Sequence, residues 1–179
     1  MTNEVRLSGF GGQGIILSGY ILGKAVSIYD HRNATLMQSY GPESRGGAAA
    51  CEVVASDERI DYPKVGTPNV VVALSQEAYT KYGHDLAPGG TLIVEADLVR
   101  DPVAPEGCQM FVLPATRMAE ELGRKIVANM VMLGFVAAAT EVAQAESFRE
   151  AIRTTVPPGT EALNLRAFQK GYEHYTPGS

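Results

Sequence analysis

At 179 residues the chain has room for one well-cored domain, residues 1–179, and too little for two. Its 45% hydrophobic and 20% charged residues are the balance of an ordinary globular protein. A formal net charge of −5 supplies no basic field to attract nucleic acid or an anionic membrane surface.

The first apolar run, residues 5–8, predicts a short strand that leads straight into a glycine-rich turn. Residues 13–29 carry a helical pattern, with Leu17, Ile21, Ala25 and Ile28 along one face. Gly19 and Gly23 fall inside that helix, where each costs about 1 kcal/mol against alanine, so the helix is expected to approach a neighbouring backbone closely. Residues 33–39 read as a second strand and residues 48–56 as a third. Only a short loop separates these two, whereas a parallel crossover takes about a dozen residues or more. They are therefore expected to pair antiparallel or to diverge, which makes the sheet mixed.

Further buried-strand runs lie at 70–74, 91–96 and 110–113, with helices at 76–82 and 115–122 and a turn at 88–90. A long apolar helix is predicted over 126–145. "SFRE" at 147–150 reads as a capping box that opens another helix, and 164–175 as a final amphipathic one. The expected fold is α/β: three layers, α/β/α, around a Rossmann-like mixed sheet, mostly parallel, with C-terminal helices.

Two glycine-rich stretches carry the functional interest. Gly9, Gly11 and Gly14 spell G-x-G-x-x-G between a predicted strand and a helix, the context in which bare N–H groups face an anion. Phosphate contact and tight packing are both open to this turn. A nicotinamide dinucleotide would also need an acid at the end of the second strand, and Met37, Gln38, Ser39 and Tyr40 stand there instead. The second stretch, "SYGPESRGG" at 39–47, displays Tyr40, Glu43 and Arg45 among glycines that include Gly46. Arg45 suits a bidentate clamp on a phosphate or carboxylate; a surface pair with Glu43 is the plainer alternative.

Other chemistry is missing. Two lone cysteines, Cys51 and Cys108, no signal peptide and no apolar run of membrane length point to a reducing cytoplasm. His31, His84 and His174 are scattered in polar stretches, and no nucleophile motif, Walker motif, metal-binding series or iron–sulfur cysteine series is present. No catalytic residue and no metal ligand is assigned to this chain. Elaborate glycine loops without catalytic equipment suggest one subunit of a larger enzyme.

The loops "GFGGQG" at 9–14 and "SYGPESRGG" at 39–47, followed by "VVASDERIDYP" at 53–63, resemble the gamma subunit of the 2-oxoacid:ferredoxin oxidoreductases. "NVVVAL" at 69–74, "LAPGGTLIVEADLV" at 86–99, "NMVMLG" at 129–134 and "EALNLRAFQKGYE" at 161–173 continue the resemblance along nearly the whole chain. The second loop is most similar to the 2-oxoglutarate type, while pyruvate, branched-chain and indolepyruvate members share the frame.

The resemblance implies an enzyme that oxidatively decarboxylates a 2-oxoacid with coenzyme A, giving an acyl-CoA, carbon dioxide and reduced ferredoxin or flavodoxin. Thiamine diphosphate, Mg2+ and iron–sulfur clusters would belong to alpha and beta partners, or to a small ferredoxin-like delta subunit, and none would be held firmly here. The gamma chain would cover the active site and help position coenzyme A. Gly9, Gly11, Gly12, Gln13, Gly14, Tyr40, Glu43, Arg45 and Gly46 would meet either that molecule or a partner subunit. Asn129, polar in an apolar run, would bond a glycine loop or satisfy a helix terminus. A purely architectural subunit and a stand-alone Rossmann-like nucleotide binder are the competing readings.

Overall fold

Alternating and continuous apolar runs sort the chain into strands and helices much where the periodicity places them. The computed structural model describes residues 1–40 and 48–177. Strand β1 (Thr2–Phe10) enters the glycine turn and helix α1 (Ile15–Lys24), which winds on as a π-helix over Ala25–Tyr29. Strands β2 (Asn33–Tyr40), β3 (Ala48–Ser56) and β4 (Val70–Ala73) precede helix α2 (Gln76–Tyr82). Strands β5 (Thr91–Glu95) and β6 (Gln109–Leu113) lead to α3 (Ala115–Glu121), α4 (Ala128–Ala139), α5 (Ala145–Arg153) and α6 (Glu161–His174).

The strand order is β2-β3-β1-β4-β5-β6. β3 runs antiparallel to both its neighbours, and β1, β4, β5 and β6 run parallel. The sheet is thus mixed and mostly parallel, as the short β2–β3 connection requires. From β1 the chain moves to the β2 side of the sheet, and from β4 to the β5 side. The β1–β4 boundary is therefore a topological switch point, where open α/β sheets place ligands outside the carboxyl ends of their strands.

The three layers are unequal. Val5, Leu7, Cys51, Val53, Val72 and Ile93 point to the face covered by α1, α3, α4, α5 and α6. On the other face, Val71, Ala73, Leu92 and Val94 pack against Ala78 and Tyr79 of α2, the single helix of that layer among the described residues. Arg6, only 6% exposed, fastens this thin layer. Its guanidinium pairs with Glu52 of β3 at 2.8 Å and with Asp85 beyond α2, and lies 5.2 Å from the Tyr82 ring.

Three helix boundaries differ from expectation. The apolar run predicted as one helix over 126–145 is a 3-10 turn, Lys125–Val127, followed by α4, which stops at Thr140. Ser147 does not cap a helix: it sits inside α5, whose N-cap is Gln144. The Asp30 carboxylate caps α5 instead, accepting from the Gln144 N–H at 3.0 Å and from the Ser147 hydroxyl. The final helix opens three residues early, at Glu161.

Gly19 explains itself by a side chain rather than a backbone. A Cβ there would overlap Cys51 Sγ of β3, so the glycine lets α1 lie on that thiol. Burial pushes the Cys51 thiol up to about 11, the state of an inert core cysteine.

Candidate functional site

Two side-chain amides build the first glycine turn. Gln13 folds back over it: its Oε1 accepts from Phe10 N–H at 2.6 Å, and its Nε2 donates to the Leu74 carbonyl at 3.0 Å. Gln13 thereby straps the end of β1 to the end of β4 across the switch point. Gly9 leaves room beneath the strap, since a Cβ there would overlap Gln13 Oε1 and displace it. Gly14, at φ 74°, turns the chain into α1 in the left-handed region that favours glycine.

Asn129, 4% exposed, supplies the second amide. Its Nδ2 donates to the Gly14 carbonyl at 3.3 Å, and its Oδ1 accepts from Met130 N–H at 3.0 Å. It bonds the glycine turn and satisfies the start of α4 at once, so the two roles open to it in the sequence are combined. The Gly14 carbonyl also accepts from the Ser18 N–H and hydroxyl, both at 2.9 Å. Gly11 and Gly12 at the tip are exposed, with open space where a Cβ would stand.

A cleft of about 320 Å³ opens beside this turn. Gly12, Gln13 and Leu74 form one wall, and Glu95, Leu98 and Thr116 another. Lys125, Ile126, Ala128 and Asn129 complete it from the turn into α4. Glu95 ends β5 and is 1% exposed. Its Oε2 accepts from the N–H groups of Asp97 at 2.7 Å and Leu98 at 2.9 Å, and its Oε1 from Thr116 at 3.1 Å, which satisfies the opening turn of α3. The sequence reading missed Glu95, Leu98, Thr116, Lys125 and Ile126. The signal for Glu95 was present: an acid that closes the apolar run "TLIV" needs a partner for its charge.

Tyr40 ends β2, paired with Ala49. Glu43, Arg45 and Gly46 lie outside the described residues. The register nevertheless sets Ala48, the first described residue after them, opposite Phe10 at the mouth of the glycine turn. Ala48 N–H is held by Glu77 of α2 at 3.1 Å. Tyr40 and Ala48 therefore lie at the same edge of the sheet as the first glycine turn and the cleft.

This geometry does not suit a nicotinamide dinucleotide. In that site the second strand lies beside the first and its terminal acid meets the ribose. Here β3 separates β2 from β1, about 10 Å apart at ordinary strand spacing, and no acid closes β2. Among the described residues no group of His, Cys, Asp or Glu could hold a metal ion.

The family model for pyruvate ferredoxin/flavodoxin oxidoreductase matches residues 4–174. The chain belongs to this family. Among curated oxidoreductases of the family's gamma type, the 2-oxoglutarate synthase subunit KorC of Methanocaldococcus jannaschii is 54% identical over 175 residues, covering 97% of this chain and 94% of its own. The keto/oxoacid ferredoxin oxidoreductase gamma subunit of Geobacter sulfurreducens superposes with a TM-score of 0.87 at 42% identity, over 97% of this chain and 95% of that one. A 2-oxoglutarate:ferredoxin oxidoreductase of Magnetococcus marinus, solved with 2-oxoglutarate, coenzyme A and succinyl-CoA bound, superposes with a TM-score of 0.86 at 26% identity. It covers 98% of this chain and 32% of that one, so there the oxidoreductase gamma fold is a portion of a longer polypeptide. Among the described residues of this gamma-type chain, no helix is long and apolar enough to cross a membrane.

Proposed function

We propose that this chain is the gamma subunit of an enzyme that oxidatively decarboxylates 2-oxoglutarate with coenzyme A in the cytoplasm, giving succinyl-CoA, carbon dioxide and reduced ferredoxin or flavodoxin. The KorC likeness over nearly the full length of both chains supports the substrate. Alpha and beta subunits, with or without a ferredoxin-like delta subunit, would carry thiamine diphosphate, Mg2+ and the clusters. The chemistry would be theirs, and this chain would bind, orient and exclude water.

Its own part is to cover the active site and position coenzyme A. One observation carries this: a braced glycine turn with bare Gly11 and Gly12 borders an open cleft at the switch point. Lys125 on the cleft rim and Arg45 in the second loop are the cations that would meet the phosphates. Gln13 and Asn129 would hold the turn rather than touch the ligand.

A second reading, in which this edge only contacts the alpha subunit, is favoured by exposed apolar residues there: Phe10 and Leu98 at 38% and Ile126 at 68%. Gentle anaerobic purification of the tagged chain from its host is expected to bring down a thiamine-binding pair with 2-oxoglutarate- and coenzyme A-dependent dye reduction. In that complex Arg45→Ala is expected to raise the apparent KM for coenzyme A about tenfold while assembly is kept. Loss of assembly with an unchanged KM would instead establish the contact role.

A further inference from the structure

We infer that the outer edge of β2 is a self-association surface, on which a second copy of this chain pairs its own β2 antiparallel across a two-fold axis. It stands apart from the coenzyme A reading, because β3 separates β2 from β1 and from the cleft beyond it. β2 ends the sheet, and among the described residues no strand pairs with its outer side. Exposed edges are ordinarily blunted by charge, proline or a bulge. "NATLMQSY" has no charged residue and no proline, and its register with β3 runs unbroken from Asn33 opposite Ser56 to Tyr40 opposite Ala49. Its outer row of backbone donors and acceptors is therefore a template for another strand.

Apolar surface flanks this edge on both faces. On the α1 face, Tyr20 and Ile28 are each 55% exposed beside an open groove of about 330 Å³, which Gly23, Ser27, Ala34 and Leu36 complete. The helix leaves its regular winding here: Ser27 and Ile28 belong to the π-helix, a distortion that recurs at functional sites. Gly23 has no packing reason inside the chain, since a Cβ there would meet only Leu36 Cδ1, at an ordinary 3.9 Å. Thr35 alternates to the other face, where its Oγ1 donates to the Pro63 carbonyl at 3.1 Å. That bond brings the neighbouring Tyr62, 68% exposed, to the same edge.

The surface suits a copy of itself. A two-fold contact is self-complementary, so a charge near the axis meets its like. The groove's one charge is Lys24, whose Nζ is turned away to the Thr154 carbonyl and the Thr155 hydroxyl, both at 3.2 Å. Neither groove nor strand holds an acid, so two chains of net charge −5 can meet there without repulsion between carboxylates. Pairing centred on Thr35 sets Ala34 of one copy against Leu36 of the other. It also keeps both α1 helices on one face, where the Tyr20 and Ile28 stripes meet over the axis.

Sedimentation velocity of the full chain between about 1 and 100 μM is expected to show a monomer–dimer equilibrium with a Kd of about 10 μM, in keeping with a small interface. Salt is expected to change that Kd less than about twofold, because no ion pair spans the contact. Hydrogen exchange at residues 33–37 is expected to slow as concentration rises. Ile28→Glu and Tyr20→Lys, both on exposed side chains, are each expected to raise Kd about tenfold and to remove that dependence, with the melting midpoint of the monomer unchanged. A chain that stays monomeric at the highest concentration overturns the inference. A dimer that both variants leave intact overturns it too, since the contact would then lie elsewhere. In the intact complex both variants are expected to keep their partner subunits. Loss of those subunits would assign the edge to a different chain and overturn the inference equally.

Discussion

A Cβ at position 14 would meet two obstacles at once, a left-handed backbone at φ 74° and the amide nitrogen of Asn129. Gly14→Ala is therefore expected to cost about 3 kcal/mol and to lower the thermal midpoint by several degrees. Gly11→Ala, with open space around it, is expected to change stability by no more than about 0.5 kcal/mol in the same melt. The glycine turn was legible in the sequence from its place between a strand and a helix, though of the three fingerprint glycines only Gly14 has a backbone reason, its left-handed φ. The roles of Gln13 and Asn129 were not. Gln13 reads as an exposed loop amide until the Leu74 carbonyl is known to lie beside it, and Asn129 reaches Gly14 from 115 residues away. Cys51 lies fully buried in the core. Its thiol titrates near 11 when folded against an ordinary value of 9.0, so the folded state favours the protonated form. That contribution is present below the unfolded value and is lost as pH rises towards 11. Chemical unfolding at pH 8 and pH 10 is expected to show the native chain losing more stability than Cys51→Ala across that interval.

At the scale of elements, α4 and α6 approach so closely at Gly134 and Gly171 that neither position has room for a Cβ. A Cβ on Gly134 would overlap the Phe168 carbonyl, and one on Gly171 the Val131 carbonyl, all of them backbone groups that cannot swing aside. Gly134→Ala or Gly171→Ala is expected to cost about 3 kcal/mol, read from the urea midpoint. The positions and types of the strands and helices were largely readable, since buried runs bounded by turns leave few alternatives. The pairing of these two glycines was not, because nothing local tells one helix which turn of another it will face. The "SFRE" box misled for a related reason: a hydroxyl with a glutamate three residues on imitates a helix start. Here Asp30, distant in sequence, had already taken the capping role. The break after Ala139 was hidden by the apolar residues on both sides of it.

For the whole molecule, strand order decides more than any motif. A G-x-G-x-x-G turn suggests a dinucleotide only while β2 lies next to β1, and β3 occupies that place. The isolated chain is accordingly expected to give no measurable NAD binding by calorimetry, despite a fingerprint that matches letter for letter. The short second loop left β2 and β3 either antiparallel or divergent, and did not tell that β3 would insert between the first two strands. The carboxyl edge gathers pieces from nearly every segment, the glycine turn, Leu74, Glu95, Thr116 and the start of α4, and that convergence exists only once the sheet is assembled.

The thiol beneath α1 also works as a clock. With Gly19 seated on it and the sheet behind it, Cys51 can meet a labelling reagent only when the helix lifts away. Its rate of modification, set against that of the partly exposed Cys108, therefore measures how often α1 opens. Since Gly14 is the N-cap of α1, anything that grips the glycine turn, whether ligand or subunit, should slow that clock without touching sulfur.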